Sequence, residues 1–257
     1  MDKPWTKSFE LRHYDVDDKG ALSTTGLCRL LQESAGLHAE SLGIAQSQML
    51  AHGLAWFLAK FHVRVEPAAS RVLWRDELEV RTWRSGLERL WAIRDFEARA
   101  SNGELVAVAT SFWSLFDLAN RKIAAFPPFI TDNYPQDSPR ALESRMGKLG
   151  TPATVDVSRS FAAGFGDIDV NDHVNNVSYV CWALEAVPRE LRATSRLTEL
   201  EILFRAETAL GDEIVSETGI TASPDGSAEL LHRITRRADG REAAQARTRW
   251  TKLTGTP

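Results

Sequence analysis

The sequence predicts an α+β chain built from two tandem copies of one unit, each a long helix followed by an antiparallel meander. Three observations carry this expectation. Phe9 with Asp15-Val16-Asp17 recurs 152 positions later as Phe161 with Asp167-Ile168-Asp169, and at the same offset Leu30 falls on Trp182 and Glu33 on Glu185. An extended segment, a turn and a helical run therefore occur twice. In both copies the apolar spacing then changes from a helical period to strict alternation. Between the copies, five of the ten prolines (Pro127, Pro128, Pro135, Pro139 and Pro152) gather in a polar stretch with the composition of a connector. The expected boundaries are 1–123 for the first unit, 124–155 for the linker and 156–257 for the second unit.

In the first copy, residues 8–13 read as a short strand, and Ser23-Thr24-Thr25 offers caps for a helix that carries Leu27, Leu30, Leu31, Leu37 and Leu42 and ends near Gly53. From 54 to 66 the period is two: Phe57, Ala59, Phe61, Val63 and Val65 form one face, and Lys60, His62, Arg64 and Glu66 form a solvated one. Strands follow at 77–84, 89–100 and 104–118, the last two joined through the hairpin signal Asn102-Gly103. In the second copy a strand near 156–164 precedes a helix at about 175–187, stopped by Pro188. Strands at 197–207, 212–221, 228–237 and 241–253 complete it, with turns at Pro224-Asp225-Gly226 and Asp239-Gly240. A helix can bury its stripe against such a meander only by lying across it, the arrangement of a hotdog. Two tandem hotdog units would pair edge to edge, each covering the other's exposed edge strand and leaving a crevice between them.

Composition bounds the function. A chain of 257 residues that is 43% hydrophobic, with eight Trp and eleven Phe, can bury a substantial core without disulfide staples. Its two cysteines, Cys28 and Cys181, each sit in a helix and read as small buried hydrophobes. The amino terminus lacks an apolar signal core, and no run reaches the roughly 18 apolar residues of a membrane span. A cytoplasmic protein with no membrane span is expected. The net charge of −4 argues against bulk nucleic-acid binding, although Arg233, Arg236, Arg237, Arg241, Arg247 and Arg249 crowd the last strands. On alternating strands these read first as a solvated outer face.

The chemistry concentrates in Asp169-Val170-Asn171-Asp172-His173-Val174-Asn175-Asn176. In an extended approach to the helix, Asp169, Asn171 and His173 would share one face, where an anion, an amide and a titrating base converge. The bland alternative makes Asp and Asn helix caps and His a surface residue. The first copy weighs against it, because Lys19 and Ala21 stand there in place of Asn171 and His173.

The run from Asp169 to Val180, followed by Trp182 and Leu184-Glu185, resembles the signature of plant and bacterial acyl-ACP thioesterases. The resemblance extends to the Phe9–Ser34 region, the proline-rich connector and Phe204-Arg205-Ala206-Glu207. It implies a double hotdog whose active site is Asp169, Asn171, His173 and Glu207. It also implies hydrolysis of a fatty acyl thioester to the free acid, with acyl carrier protein as partner and no metal or organic cofactor. Plant members commonly have Cys after that Glu, whereas this chain has Thr208, so a covalent cysteine mechanism is not expected. Cys181, on the apolar stripe of its helix, is no substitute.

Water attack then needs a base, a donor for the oxyanion and a proton for the leaving thiolate. Glu207 and His173 can share base duty, Asn171 can hold the water or the carbonyl, and Asp169 can orient both neighbours. Backbone N–H groups near Val174 to Asn176 would receive the oxyanion. Alternatives are an acyl-CoA thioesterase, or a non-catalytic acyl-thioester sensor, which would not require a base. A homodimer is an allowed assembly. The first copy, freed of the polar cluster, is expected to supply the acyl-chain pocket, with its helix and the 54–66 strand, including Ala59, as walls.

Overall fold

The computed structural model describes residues 4–135 and 138–253, and the chain divides into two compact units that part between Met146 and Gly147. In the first, β1 (Trp5–Glu10) leads through a 3-10 turn at His13–Asp15 into α1 (Thr24–Ser41) and α2 (Gln46–Ala51). Then come β2 (Leu54–Val65), β3 (Glu77–Glu88), β4 (Trp91–Ala100), β5 (Leu105–Asp117), β6 (Lys122–Ala124) and the single turn of α3 (Pro128–Thr131). The strands are antiparallel in the order β1-β3-β4-β5-β2, with β6 beside β5.

Ser23 starts α1 by accepting the Gly26 N–H at 2.9 Å, as a side-chain cap should. Gly26 is obligatory there, since a Cβ would meet the Asp15 carbonyl oxygen at 2.2 Å. The helix buries Leu27, Leu30, Leu31, Ala35 and His38, while the sheet contributes Leu78, Val80, Phe96 and Ala98 to the same core. It ends at Ser41, well short of Gly53; Gly43 then takes a positive φ of 70° and the chain restarts as α2.

The polar face expected on β2 is solvated at Arg64 but not at Lys60. Lys60 is only 3% exposed and donates to the Arg145 carbonyl at 2.6 Å, while His62 Nδ1 meets Ser144 Oγ at 3.0 Å. A bulge between Leu58 and Lys60 also breaks the alternation at Ala59. The proline-rich stretch supplies the cover. Ile130 and Tyr134 are buried, the Tyr134 hydroxyl donates to the Ile93 carbonyl at 2.9 Å, and Arg140 Nε donates to the buried Asp95 at 3.0 Å. Much of what reads as connector is thus packed on the first unit.

The second unit repeats the plan: β7 (Val157–Ala162), α4 (Asn176–Glu185), α5 (Arg189–Thr194), β8 (Ser195–Phe204), β9 (Glu213–Ala222), β10 (Ala228–Arg236) and β11 (Glu242–Lys252). Its antiparallel order β7-β9-β10-β11-β8 matches that of the first unit strand for strand. The short α5, absent from the expected elements, begins directly after Pro188, while α4 has already ended at Glu185. Inside this unit His232 is fully buried, with Nδ1 2.8 Å from Thr218 Oγ1 and Nε2 3.0 Å from Thr248 Oγ1. Burial holds its imidazole neutral and pushes its pKa down to about 3. Arg233, Arg236, Arg237, Arg247 and Arg249 pair with carboxylates along the strands; Arg237 and Arg249 are exposed, whereas Arg247 reaches the buried Glu201. Among the described residues no helix is long and apolar enough to cross a membrane.

Candidate active site

The four residues singled out in the sequence lie in two adjoining loops of the second unit, and the geometry differs from an extended run. Asp169 to His173 forms a tight turn: Asp169 N–H donates to the His173 carbonyl at 2.9 Å, Asp172 N–H donates to the Asp169 carbonyl at 3.1 Å, and Ile168 bridges Val174. Asp172 takes φ = +63°, a conformation that Asp tolerates better than most residues. The Asp169 carboxylate closes the turn, accepting Asn171 N–H at 2.8 Å through Oδ1 and facing Asn171 Nδ2 at 3.5 Å through Oδ2. Asn175 then caps α4 by accepting the Val177 N–H at 2.9 Å.

Glu207 arrives from the loop after β8, three residues beyond the strand end rather than on the strand. Its Oε2 lies 3.7 Å from His173 Nε2, and the two side chains are 62% and 53% exposed. The separation is too long for a direct hydrogen bond but within reach of one bridging water. Arg236 Nη1 donates to the Glu207 carbonyl at 3.2 Å and ties the loop to β10.

The first copy folds the same turn with none of this chemistry. Lys19 N–H donates to Asp17 Oδ1 at 2.9 Å, Asp17 N–H donates to the Ala21 carbonyl at 2.7 Å, and Gly20 N–H donates to the Asp17 carbonyl at 3.0 Å. Val16 bridges Leu22 as Ile168 bridges Val174. Leu22 N–H donates to the Val72 carbonyl at 2.8 Å, and its counterpart Val174 N–H faces the Thr208 carbonyl at 3.5 Å. Thr208 therefore corresponds to Val72, and Glu207 to Arg71. The turn needs its Asp in both copies, but only the second adds an amide, an imidazole and a carboxylate. Capping alone does not account for Asn171, His173 or Glu207.

Two expectations are corrected. The Val174 and Asn175 N–H groups, expected to receive an oxyanion, point instead at the Thr208 carbonyl and, at 2.8 Å, the Asp167 carbonyl. Cys181 is half-buried rather than buried, and it lies on α4 rather than in the two loops; Cys28 is buried. The ligand-type atoms of Asp169, His173 and Glu207 do not come together as a metal-binding group among the described residues. One residue escaped the sequence reading: Tyr179, whose hydroxyl lies 2.7 Å from Thr208 Oγ1 and accepts the Thr208 N–H at 3.1 Å. The available signal was a phenol on an apolar helix stripe where the first copy has Leu27.

Fold and site together define a double-unit hotdog protein whose second unit carries a polar cluster suited to acid–base chemistry. Models of the acyl-ACP thioesterase N-terminal and C-terminal domains match residues 2–134 and 151–252. This chain belongs to the acyl-ACP thioesterase family. It is 28% identical over 260 residues to a chloroplastic acyl-acyl-carrier-protein hydrolase (FATB3) of Cuphea viscosissima, an alignment covering 95% of this chain and 61% of that one. It thus spans about three-fifths of the length of that relative. Among solved structures, the 12:0-ACP thioesterase of Umbellularia californica superposes with a TM-score of 0.81 at 26% identity, covering 97% of this chain and 94% of that one. An acyl-ACP thioesterase of Bacteroides thetaiotaomicron gives 0.82 at 24% identity, with 96% and 97% covered, and shares the fold.

Proposed function

We propose that this chain hydrolyses the thioester of fatty acyl-acyl carrier protein to free fatty acid and carrier, with Asn171, His173 and Glu207 as catalytic residues and Asp169 holding the turn. One observation carries the reading: only the second copy places an amide, an imidazole and a carboxylate on a turn that both copies fold. A water between His173 Nε2 and Glu207 Oε2 loses its proton to the pair as its oxygen attacks the thioester carbon. The Asn171 amide donates to the carbonyl oxygen as charge develops on it. Collapse of the tetrahedral intermediate breaks the C–S bond, and the proton passes from the pair to the departing thiolate. Asp169, through Asn171 N and Nδ2, fixes the amide.

Thr208, buried at 1% exposure, offers no thiolate, so a covalent cysteine intermediate has no place at this position. The first unit is assigned the acyl chain, and the cytoplasmic location fits the two free cysteines. The test is a hydrolysis screen of purified protein against acyl-ACP and acyl-CoA over a chain-length series. Release of free acid, with kcat/KM higher for acyl-ACP, is expected. Preference for acyl-CoA would replace the carrier protein with a nucleotide, and saturable binding without turnover would make the protein a sensor.

A further inference from the structure

Sequence reasoning gave Tyr179 no task, and the turn that carries Asn171 and His173 does not use it. Its ring lies on α4, only 4% exposed, edge-on to Trp182 and Phe204 at centroid distances of 5.1 and 5.6 Å. Its hydroxyl reaches out of that apolar setting to the backbone of the Glu207 loop. It accepts the Thr208 N–H at 3.1 Å, lies 2.7 Å from Thr208 Oγ1 and lies 3.5 Å from the Ala206 carbonyl. A phenol has one proton to give and can accept twice. These three contacts therefore use the whole capacity of the group when Thr208 Oγ1 donates to it and it donates to Ala206. Burial raises the Tyr179 pKa, so the phenol keeps its proton.

The contacts fall on the residues either side of Glu207. They also reach His173, because the Thr208 carbonyl faces the Val174 N–H at 3.5 Å. We propose that Tyr179 is a positioning residue: through Thr208 its hydroxyl fixes the backbone that holds Glu207 against His173.

The first copy argues that this pair is not there for folding. Leu27 takes the place of Tyr179 and Val72 that of Thr208, and both are buried, at 1% and 3% exposure. Two buried apolar side chains occupy these positions in the copy that lacks a base. A buried hydroxyl pair is tolerated only when its hydrogen bonds are made, a geometric demand that the apolar pair of the first copy does not carry. The polar pair occurs where Glu207 and His173 occur and is absent where Arg71 and Ala21 stand in their place.

The inference rests on the functional reading above, and its test separates the two. In the full chain, Tyr179→Phe removes only the hydroxyl. It is expected to lower kcat on acyl-ACP by roughly ten- to a hundred-fold, the scale of a small misplacement of catalytic groups. KM should stay within about two-fold, because no substrate contact is lost. Thr208→Ser should keep near-parental turnover and Thr208→Val should lose it. The double variant Tyr179→Leu/Thr208→Val copies the first unit, so its unfolding temperature should match the parent while its kcat stays low. Parental kcat in Tyr179→Phe, or turnover that returns with stability in the double variant, overturns the proposal. If the parent hydrolyses no acyl thioester, the functional reading falls. Crystal structures then decide this inference alone: a His173–Glu207 separation still at 3.7 Å in Tyr179→Phe overturns it, and a displaced Glu207 loop supports it.

Discussion

Glu207 and His173 offer a perturbation in which stability and chemistry have very different sizes. With His173 protonated, unit charges 3.7 Å apart attract by about 1.1 kcal/mol in a medium like water. Both side chains are more than half exposed, so water and salt reduce this further, and exposed pairs of this kind contribute about 0.2–1 kcal/mol. Removing either partner should move the unfolding temperature by no more than about 2–4 °C for a chain of this size. Turnover should behave otherwise. Loss of the group that takes the water proton costs roughly two to four decades, or about 2.7–5.4 kcal/mol at 1.36 kcal/mol per decade. Glu207→Gln keeps the shape and removes the anion, whereas His173→Ala removes the ring. Because the two serve one proton transfer, the double variant should be little slower than the slower single one, and the separate losses should not add. The assay is kcat/KM on acyl-ACP for the parent, both singles and the double, with thermal unfolding on the same preparations. A parental rate for Glu207→Gln, or losses that add in full, would refute a shared role.

Other outcomes follow from the same coordinates. Cys181→Ser and Cys28→Ala should keep turnover, the latter with a stability loss of about 1 kcal/mol from a small cavity; rapid inactivation by an alkylating agent with protection by substrate would restore a thiol mechanism. His232, with a folded pKa of about 3, remains neutral while the unfolded chain takes up a proton below pH ~6.5. The unfolded state therefore binds more protons, and the His232 contribution to stability is present above pH ~6.5 and lost on acidification by about 1.4 kcal/mol per pH unit. Urea unfolding at pH 6.5 and 5 should show the parent losing about 2 kcal/mol more than His232→Gln, and equal pH slopes would remove His232 as the cause. Replacing Ala59, which is 4% exposed at the β2 bulge, with Leu should shift preference toward shorter chains by about 1–3 kcal/mol per excluded methylene. A uniform rate change across the series would place the acyl pocket elsewhere.

The parts of the fold legible in the sequence were those encoded locally. The repeat of Asp15-Val16-Asp17 as Asp167-Ile168-Asp169 marks a hydrogen-bonded turn that both units build from neighbouring residues. Gly103, at φ = +82°, sits where Asn102-Gly103 called for a hairpin. Readings failed where partners are distant. Lys60 meets Arg145 across 85 positions and Arg140 meets Asp95 across 45, so period alone made the Lys60 face of β2 look solvated and composition alone made its cover look like a linker. In the same way, the local geometry of the candidate site was not legible. Alternation suggested an extended run, but Asp172 at positive φ turns the chain back on itself, and the Asp169 N–H donates to the His173 carbonyl instead of the run continuing as a strand.

The duplication makes the first unit an internal control for the second. A turn with its carboxylate clasp, a capped helix behind it and a sheet of the same order all form in the first unit around Lys19, Ala21, Leu27, Arg71 and Val72. Whatever these positions supply in the second unit is additional to folding. Asn171, His173, Tyr179, Glu207 and Thr208 replace them as a set, two of the five buried and hydrogen-bonded to each other, the other three at or near the surface. Exposed polar side chains cost the fold little, whereas a buried hydroxyl pair is tolerated only with its hydrogen bonds made. The buried pair accompanies the exposed cluster, and on the function and positioning role proposed above the interior of the second unit holds a loop in place for chemistry at the surface.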